Sequence, residues 1–302
     1  IGFYTVNFST TDKFGCQATY YEQIQVHALP VASFDYVNGQ CDSLVQFSST
    51  SVDTSALIQT YIWNYGDGHS DTLSSATSSH KYSIPGEYNA SLTIINENGC
   101  TDTWTGSVVR SACITAAYQT ADTVLCQNYA LAFTDLSTCD GIINRWEWNF
   151  GDGSDSLVYN TYQPEVSHVF DSAGTFTIRL VVSTQVGAST ITDTTRVPIL
   201  VLPSPLAGFT VPDACMGNKV PFTDTTHANG ATLLNFHWDF GDASTLEDTA
   251  VIRNPKYRYN APGEFTSTLV VKNQYGCADT VQQSVQIFGL PDAGFASSLA
   301  CV

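Results

Sequence analysis

Apolar side chains recur at every second position in three separate stretches of the chain. Tyr88, Ala90, Leu92 and Ile94 form one series. Phe176, Ile178, Leu180 and Val182 form a second, and Phe265, Ser267, Leu269 and Val271 a third. A period of two puts these side chains on one face of an extended segment, so each series predicts a strand with one buried face. Each begins on a Gly-x-aromatic triplet: Gly86-Glu87-Tyr88, Gly174-Thr175-Phe176 and Gly263-Glu264-Phe265. Ahead of each triplet lies a second signature, Trp63-Asn64-Tyr65-Gly66-Asp67-Gly68, Trp148-Asn149-Phe150-Gly151-Asp152-Gly153 and Trp238-Asp239-Phe240-Gly241-Asp242-Ala243. The tryptophans are 85 and then 90 residues apart. Self-similarity at a fixed period predicts an array of β domains and not one large sheet.

The copies can be counted from their ends. Fourteen residues beyond Gly86 stands Cys100, and the same step from Gly263 reaches Cys277; from Gly174 it reaches Ala188. From Gly2 it reaches Cys16, so Gly2-Phe3-Tyr4 and Phe14-Gly15-Cys16 predict the last two strands of a further copy. Leu29-Pro30, Leu202-Pro203 and Leu290-Pro291 open new copies, because proline beside a strand start interrupts pairing and marks a boundary. The second copy opens less regularly, near Cys113 to Tyr118. The expected division is therefore 1–28 (the C-terminal part of a repeat), 29–110, 111–201 and 202–289 (three whole repeats), and 290–302 (the first strand of another). No signal peptide opens the chain, and Ile1 is not expected to be a natural start, so the sequence reads as a stretch of a longer protein.

Composition narrows the function class. Only 13% of residues are charged, about half the usual share, and Ser and Thr fill the polar positions, which favours strands. The net charge of -17 excludes the basic footprint of a nucleic-acid binder and disfavours an anionic membrane surface, while leaving divalent cations as partners. Nine cysteines occur without a Cys-x-x-Cys pair or zinc spacing, so disulfides in an oxidising compartment are expected, at the cell surface or in a secreted protein. No apolar run of about 20 residues exists, so no membrane insertion is expected in this segment. No Gly-x-Ser-x-Gly elbow, His-Glu-x-x-His or phosphate loop occurs, so neither a catalytic residue nor a cofactor-binding motif is predicted.

The order Trp-x-Phe-Gly-Asp-Gly, His-x-Tyr, Pro-Gly-x-Tyr resembles the PKD (polycystic kidney disease) domain. The matching residues are Trp63 to Gly68, His80 to Tyr82 and Pro85 to Tyr88, then Trp148 to Gly153, His168 to Phe170 and Gly174 to Phe176. The third copy departs from the pattern at Ala243 and Tyr257. The resemblance implies an all-β chain of tandem immunoglobulin-like, seven-stranded β-sandwiches in an extended string. The variant Gly-Cys-x-Asp-Thr at Gly99 to Thr103 and Gly276 to Thr280 resembles repeats of giant surface adhesins of gliding and related bacteria. Triplets of the type Asp-Thr-Leu resemble the O-glycosylation signal of that group. They mark Thr72, Thr123, Ser156, Thr249 and Thr280 as candidates, although such triplets also arise by chance in a Thr-rich β protein.

Within that fold Trp63, Trp148 and Trp238 are expected to fill the space between the sheets. Trp146 and Trp104 could lie in the core or on a binding surface. Asp67, Asp152 and Asp242 are expected to cap turns. With Asp71, Asp155 and Asp248 nearby, they are also the calcium candidates, the one cofactor the sequence admits. His80 and His168 recur at one repeat position and, with no second His or Cys read as near them, are assigned a fold role.

In this sandwich the last turn lies at the N-terminal pole and the turn after the first strand at the C-terminal pole, roughly 20 Å apart. A disulfide needs Cα atoms within about 7 Å. Cys126 is therefore expected to pair with Cys277 across a joint. Cys41 is expected to reach the N-terminal pole of the second whole repeat, which has Cys113 and Cys139, and Cys139 is the favoured partner, while Cys16, Cys100, Cys215 and Cys301 seek domains outside the segment. An ordinary pair inside one domain, such as Cys41 with Cys100, is the alternative. The functional expectation is a structural stalk or filament segment of a surface adhesin. Its partners would be neighbouring repeats, other copies in a filament, or a surface polysaccharide or protein ligand. The alternatives are an accessory polysaccharide- or protein-binding module of a secreted hydrolase, and a homotypic binding module.

Overall fold

A computed structural model describes residues 1–39 and 41–294, and no helix occurs among them. The first two strands, β1 (Gly2–Thr11) and β2 (Gln17–Val26), form an antiparallel hairpin with Gly2 opposite Val26. Tyr4, Val6 and Phe8, at the offsets from Gly2 that Tyr88, Ala90 and Leu92 have from Gly86, are exposed. Among the described residues no other strand pairs with this hairpin.

The next seven strands are β3 (Phe34–Asn38), β4 (Leu44–Ser49), β5 (Ile58–Asn64), β6 (Ser70–Leu73), β7 (Thr77–Lys81), β8 (Gly86–Asn96) and β9 (Thr101–Arg110). They form two sheets, ordered β3-β4-β7 and β6-β5-β8-β9. The second sandwich comprises β10 (Ile114–Thr115), β11 (Tyr118–Thr120), β12 (Val124–Cys126), β13 (Ala130–Asp135), β14 (Thr138–Cys139), β15 (Arg145–Asn149), β16 (Leu157–Tyr159), β17 (Glu165–Val169), β18 (Gly174–Val186) and β19 (Ser189–Leu202). Its sheets are β11-β13-β17 and β12-β19-β18-β15-β16, with β10 and β14 paired at one end.

The third sandwich comprises β20 (Phe209–Thr210), β21 (Ala214–Cys215), β22 (Lys219–Pro221), β23 (Thr223–Asp224), β24 (Leu233–Asp239), β25 (Thr249–Ala250), β26 (Lys256–Arg258), β27 (Gly263–Asn273) and β28 (Ala278–Phe288). Its larger sheet is β21-β28-β27-β24-β25, faced by the pairs β20-β23 and β22-β26. In the second and third sandwiches a short early strand crosses to run parallel to the last one, β12 along β19 and β21 along β28. Most of the stretch 290–302, including Cys301, lies outside the described residues.

Each core is built the same way. The motif tryptophan lies between the sheets, packed T-shaped or tilted against two aromatic rings from the opposite sheet. Trp63 meets Phe34 and Phe47, both with centroids 5.5 Å away. Trp148 meets Tyr118 and Phe133 at 5.1 and 5.9 Å, and Trp238 meets Phe209 and Phe222 at 5.0 and 5.5 Å. The alternating series complete the cores: Ala90, Leu92 and Ile94, then Ile178, Leu180 and Val182, then Leu269 and Val271, are all buried. Trp146 is buried on the same face as Trp148, and its indole donates to Asp135 Oδ2 at 2.9 Å. Trp104, on β9, is 49% exposed.

Glycine is required at one motif position. Gly66, Gly151 and Gly241 have φ of 79°, 75° and 73°. A Cβ there would lie 2.5, 2.7 or 2.3 Å from the carbonyl oxygen of Asn89, Thr177 or Thr266 on the Gly-aromatic strand. The turn can approach that strand only without a side chain.

Replacing Trp238 by alanine removes the largest ring of the third core and is expected to destabilise that repeat by about 3–5 kcal/mol. Urea unfolding should show an early transition, whereas Trp104→Ala should leave the unfolding curve close to the parent's.

Candidate functional site: the turns and joints of the repeats

The Gly-Asp turn is locked by an aromatic column. In the first repeat Asp67 Oδ1 accepts the His69 backbone N–H at 3.1 Å, and Oδ2 accepts His80 Nε2 at 2.7 Å. In the second, Asp152 Oδ1 accepts the Ser154 N–H and hydroxyl, and Oδ2 accepts His168 Nε2 at 2.6 Å. In the third, Asp242 accepts Ser244 in the same way, and Tyr257 donates its hydroxyl to Oδ2 at 3.0 Å. His80, His168 and Tyr257 each lie flat on the motif aromatic before the turn, with centroids 4.1, 3.9 and 4.4 Å from Tyr65, Phe150 and Phe240. Each also meets a second ring, Tyr82, Phe170 or Tyr259, at right angles or nearly so. Tyrosine replaces histidine in the third repeat because its hydroxyl donates the same bond. The third turn manages with Ala243 because Asp248 Oδ2 accepts the Asp242 N–H across the loop, and Ala243 keeps negative φ.

Burial raises the pKa of Asp152, but hydrogen bonds from Ser154 and His168 outweigh it and hold the carboxyl at about 2. The three turn aspartates therefore spend their oxygens on protein donors. Asp71 accepts the Tyr65 hydroxyl at 2.8 Å, and Asp155 is exposed. Among the described residues, the one cluster of three metal-capable side chains is Asp67, His69 and His80. Sequence reasoning passed over His69. It precedes His80 by eleven residues, and only the turn brings the two rings to 5.6 Å.

A second recurring contact sits at the opposite pole. Asp102 Oδ2, Asp193 Oδ2 and Asp279 Oδ2 each accept a backbone N–H from the entering strand, at Ala32, Ala116 and Ala207, all at 2.8 Å. This clasp gives the Asp of the Gly-Cys-x-Asp-Thr element its job. The available signal was the shared Asp-Thr pair on all three last strands. Next to it, Asn96 Oδ1 accepts the N–H of Asn98 and Cys100, and Asn273 Oδ1 accepts that of Tyr275 and Cys277. Cys100 and Cys277 thus occupy one geometry.

The joint between the second and third sandwiches centres on that turn. Cys126, at the end of β12, is joined to Cys277, with Cα atoms 5.6 Å apart. Around the bond, Ser204 Oγ donates to Gln127 O, Asn229 Nδ2 to Ser204 O, and Asn273 Nδ2 to Pro203 O, at 3.0, 2.8 and 2.6 Å.

The joint between the first and second sandwiches differs from expectation. Cys41 pairs with Cys113, with Cα atoms 4.4 Å apart, and not with Cys139. Strand alternation explains the correction. Cys139 stands opposite Ile114 in the β10-β14 pair, so its thiol turns toward the core, where it is partly buried, and accepts the Gly141 N–H. Cys113 lies one residue before Ile114 and therefore faces the other way, toward the first sandwich. The hairpin β18-β19 also lengthens. Ile94, Val182 and Val271 face Asp102, Asp193 and Asp279, so the second hairpin holds three more residues than the others between these partners. Ala188 is therefore not the structural counterpart of Cys100; Ile191, two residues before Asp193, is. The longer tip brings Gly187 against Glu87 of the first sandwich. Arg110, whose side chain is 4% exposed, forms an ion pair with Asp140 across the joint. Burial raises the Asp140 pKa, but Arg110 and the Cys113 N–H hold it below the usual range.

Sequence profiles of the PKD domain match residues 27–111, 115–197 and 203–288. The chain belongs to the PKD domain family. Over 75 residues it is 37% identical to a microbial collagenase of Vibrio alginolyticus, a match covering 24% of this chain and 9% of that protein. The chain therefore spans under a tenth of that relative's length. Among solved structures, the PKD1 domain of Vibrio anguillarum Epp aligns at 26% identity over 28% of the chain and 95% of that domain, with a TM-score of 0.26. The PKD1 domain of a Vibrio cholerae metalloprotease aligns at 28% identity over 27% of the chain and 96% of that domain, with a TM-score of 0.25. A tetra-tandem repeat from the extending region of a large adhesion protein aligns over 94% of the chain and 82% of its own length, at 15% identity and a TM-score of 0.32.

Among the described residues Cys16, Cys100, Cys139 and Cys215 form no disulfide. The glycosylation candidates Thr72, Thr123, Ser156, Thr249 and Thr280 are all exposed.

Two outcomes follow from the PKD turn and joint. A carboxyl depressed to about 2 contributes stability above pH 4 that is lost as pH falls through 2, so Asp152→Asn should cost about 2 kcal/mol at pH 7 and almost nothing near pH 2. Denaturant titrations of the second repeat at both pH values measure this. Asp140→Ala strands the buried Arg110 guanidinium and should cost roughly 3 kcal/mol, with Arg110→Met restoring most of the loss in the double variant.

Proposed function

We propose that the chain is a stiffened segment of an extracellular stalk or filament, part of a cell-surface adhesin built from tandem PKD repeats. The observation that carries this reading is that each of the two joints between whole repeats is crossed by a disulfide, Cys41–Cys113 at one and Cys126–Cys277 at the other. PKD repeats are typically non-catalytic modules, and a disulfide at a joint limits bending without serving any chemistry inside a repeat. Disulfides in two places also support an oxidising, extracellular setting.

The remaining cysteines extend the same logic. Cys215 lies beside Phe288 as Cys126 lies beside Leu202, and Cys100 shares the asparagine-capped turn of Cys277. In the stalk these residues join repeats on either side, so the principal partners are neighbouring PKD repeats, with other copies and a surface polysaccharide or protein ligand beyond them. Stability of such an array is approximately a sum over repeats and interfaces.

The match to a collagenase supports a second reading, an accessory module of a secreted hydrolase. That reading needs an exposed aromatic platform, and Trp104 on β9 is the candidate. It requires Trp104→Ala to abolish retention of the chain on an insoluble polysaccharide or collagen matrix.

Small-angle scattering of the oxidised chain, the reduced chain and the Cys126→Ser variant tests the stalk. The oxidised chain should scatter as one extended, stiff particle, and both altered forms should show a broader distribution of dimensions. A bent or flexible oxidised chain, or three identical curves, would count against the proposal.

A further inference from the structure

We propose that the first repeat carries a binding site for a divalent transition metal of the zinc class, formed by Asp67, His69 and His80. One ligand atom from each residue lies within 4.8 Å of the others. His69 Nδ1 is 3.3 Å from Asp67 Oδ1, and His80 Nε2 is 2.7 Å from Asp67 Oδ2. Tetrahedral zinc with bonds of about 2.0–2.1 Å holds neighbouring ligand atoms roughly 3.3–3.4 Å apart. The His69–Asp67 separation already has that value. His80 contacts the other oxygen, Oδ2, so an ion held through one oxygen of Asp67 needs the carboxylate or the exposed His69 ring to turn until both imidazoles face that oxygen, from ligand atoms already within 4.8 Å of one another. On binding, Nε2 of His80 loses its proton to solvent or to its own Nδ1, and the metal takes the place of the shared hydrogen. The fourth position stays open to water or to a group from a partner.

The donor set decides the class of ion. Two imidazole nitrogens and one carboxylate suit zinc, cobalt, nickel or copper. Calcium takes six to eight oxygens, which this turn does not offer. The site is also held in shape before any ion arrives. Tyr65 lies parallel to the His80 ring at 4.1 Å and Tyr82 stands edge-on to it at 4.8 Å, so the ring that must point at the metal is already oriented. Such preorganised ligands lose little freedom on binding.

The other repeats give an internal comparison. Asp152 with His168, and Asp242 with Tyr257, repeat the turn, but Ser154 and Ser244 stand where the first repeat has His69. Serine donates its hydroxyl to the aspartate and completes a purely structural turn. An imidazole at that position instead adds a third nitrogen or oxygen ligand, and its side chain is 75% exposed and reachable from solvent. The inference is independent of the stalk reading, since it rests on one turn of one repeat.

Titration calorimetry with zinc chloride tests it on the full chain, with the free thiols alkylated so that cysteine does not compete. The parent chain should bind one equivalent. His69→Ser installs the residue the other two repeats carry, so folding should be intact, and it should weaken binding by at least about 100-fold. Ser154→His should add a second equivalent by building the same triad in the second repeat. Excess calcium should displace neither. Affinity unchanged by His69→Ser, no added equivalent in Ser154→His, or displacement of zinc by calcium overturns the proposal.

Discussion

In each PKD repeat the last two strands form a hairpin whose register is held by the buried alternating series, and the behaviour of both poles depends on that register. With Leu92, Leu180 and Leu269 in the core, Ile94, Val182 and Val271 must face Asp102, Asp193 and Asp279. A slip of one residue would turn the whole series to solvent, so the register is strongly specified. It places each aspartate where it clasps the entering strand, and it places the turn beyond. Where that turn is short and asparagine-capped, it carries a cysteine, Cys100 or Cys277, and Cys277 is joined to the adjoining repeat. Where it gains three residues, as in the second repeat, the thiol is absent and the hairpin tip itself reaches the first sandwich.

The two joints therefore reach similar ends by different chemistry. The joint at Cys126–Cys277 is surrounded by amide and hydroxyl groups that satisfy one another through Ser204, Asn229 and Asn273. The joint at Cys41–Cys113 adds an ion pair whose arginine is almost fully buried. Such a pair contributes less to stability than to geometry, because desolvating the charges offsets much of their attraction. The pair ties the end of β9 in the first repeat to Asp140, beside β14, in the second.

At the other end of the hairpin the same economy appears in the Gly-Asp turn. The glycine lets the turn approach the Gly-aromatic strand, the aspartate holds the turn, and a stacked ring donates to the aspartate. Histidine and tyrosine both fill that place because each combines a flat face with a donor. The backbone N–H two positions after the aspartate belongs to that lock in all three repeats, but the side chain there varies between Ser154, Ser244 and His69. That freedom is where a repeat can acquire chemistry without disturbing its fold.

Much of this was legible in the sequence because it depends on local periodicity. The alternating series, the motif tryptophans as core and the Gly-Asp turns follow from side chains that face one way at fixed offsets, and an inner face must bury what is apolar. The geometry of poles was sufficient to put Cys126 near Cys277, since both lie at positions that recur in the array. What the sequence could not settle were contacts that depend on which face a residue takes at the end of a strand, or on loop length. Cys139 and Cys113 both lie near the same pole, and only the pairing of β10 with β14 shows that one thiol faces inward and the other outward. Counting from Gly174 led to Ala188 because three extra residues in the hairpin are invisible until the register of β18 and β19 is known. His69 and His80 were separate in the sequence and meet only through the folded turn. Periodicity alone determined the interior of each repeat; the tertiary structure decided the joints and the turn cluster, because those contacts are made by side chains from segments that no repeat period relates.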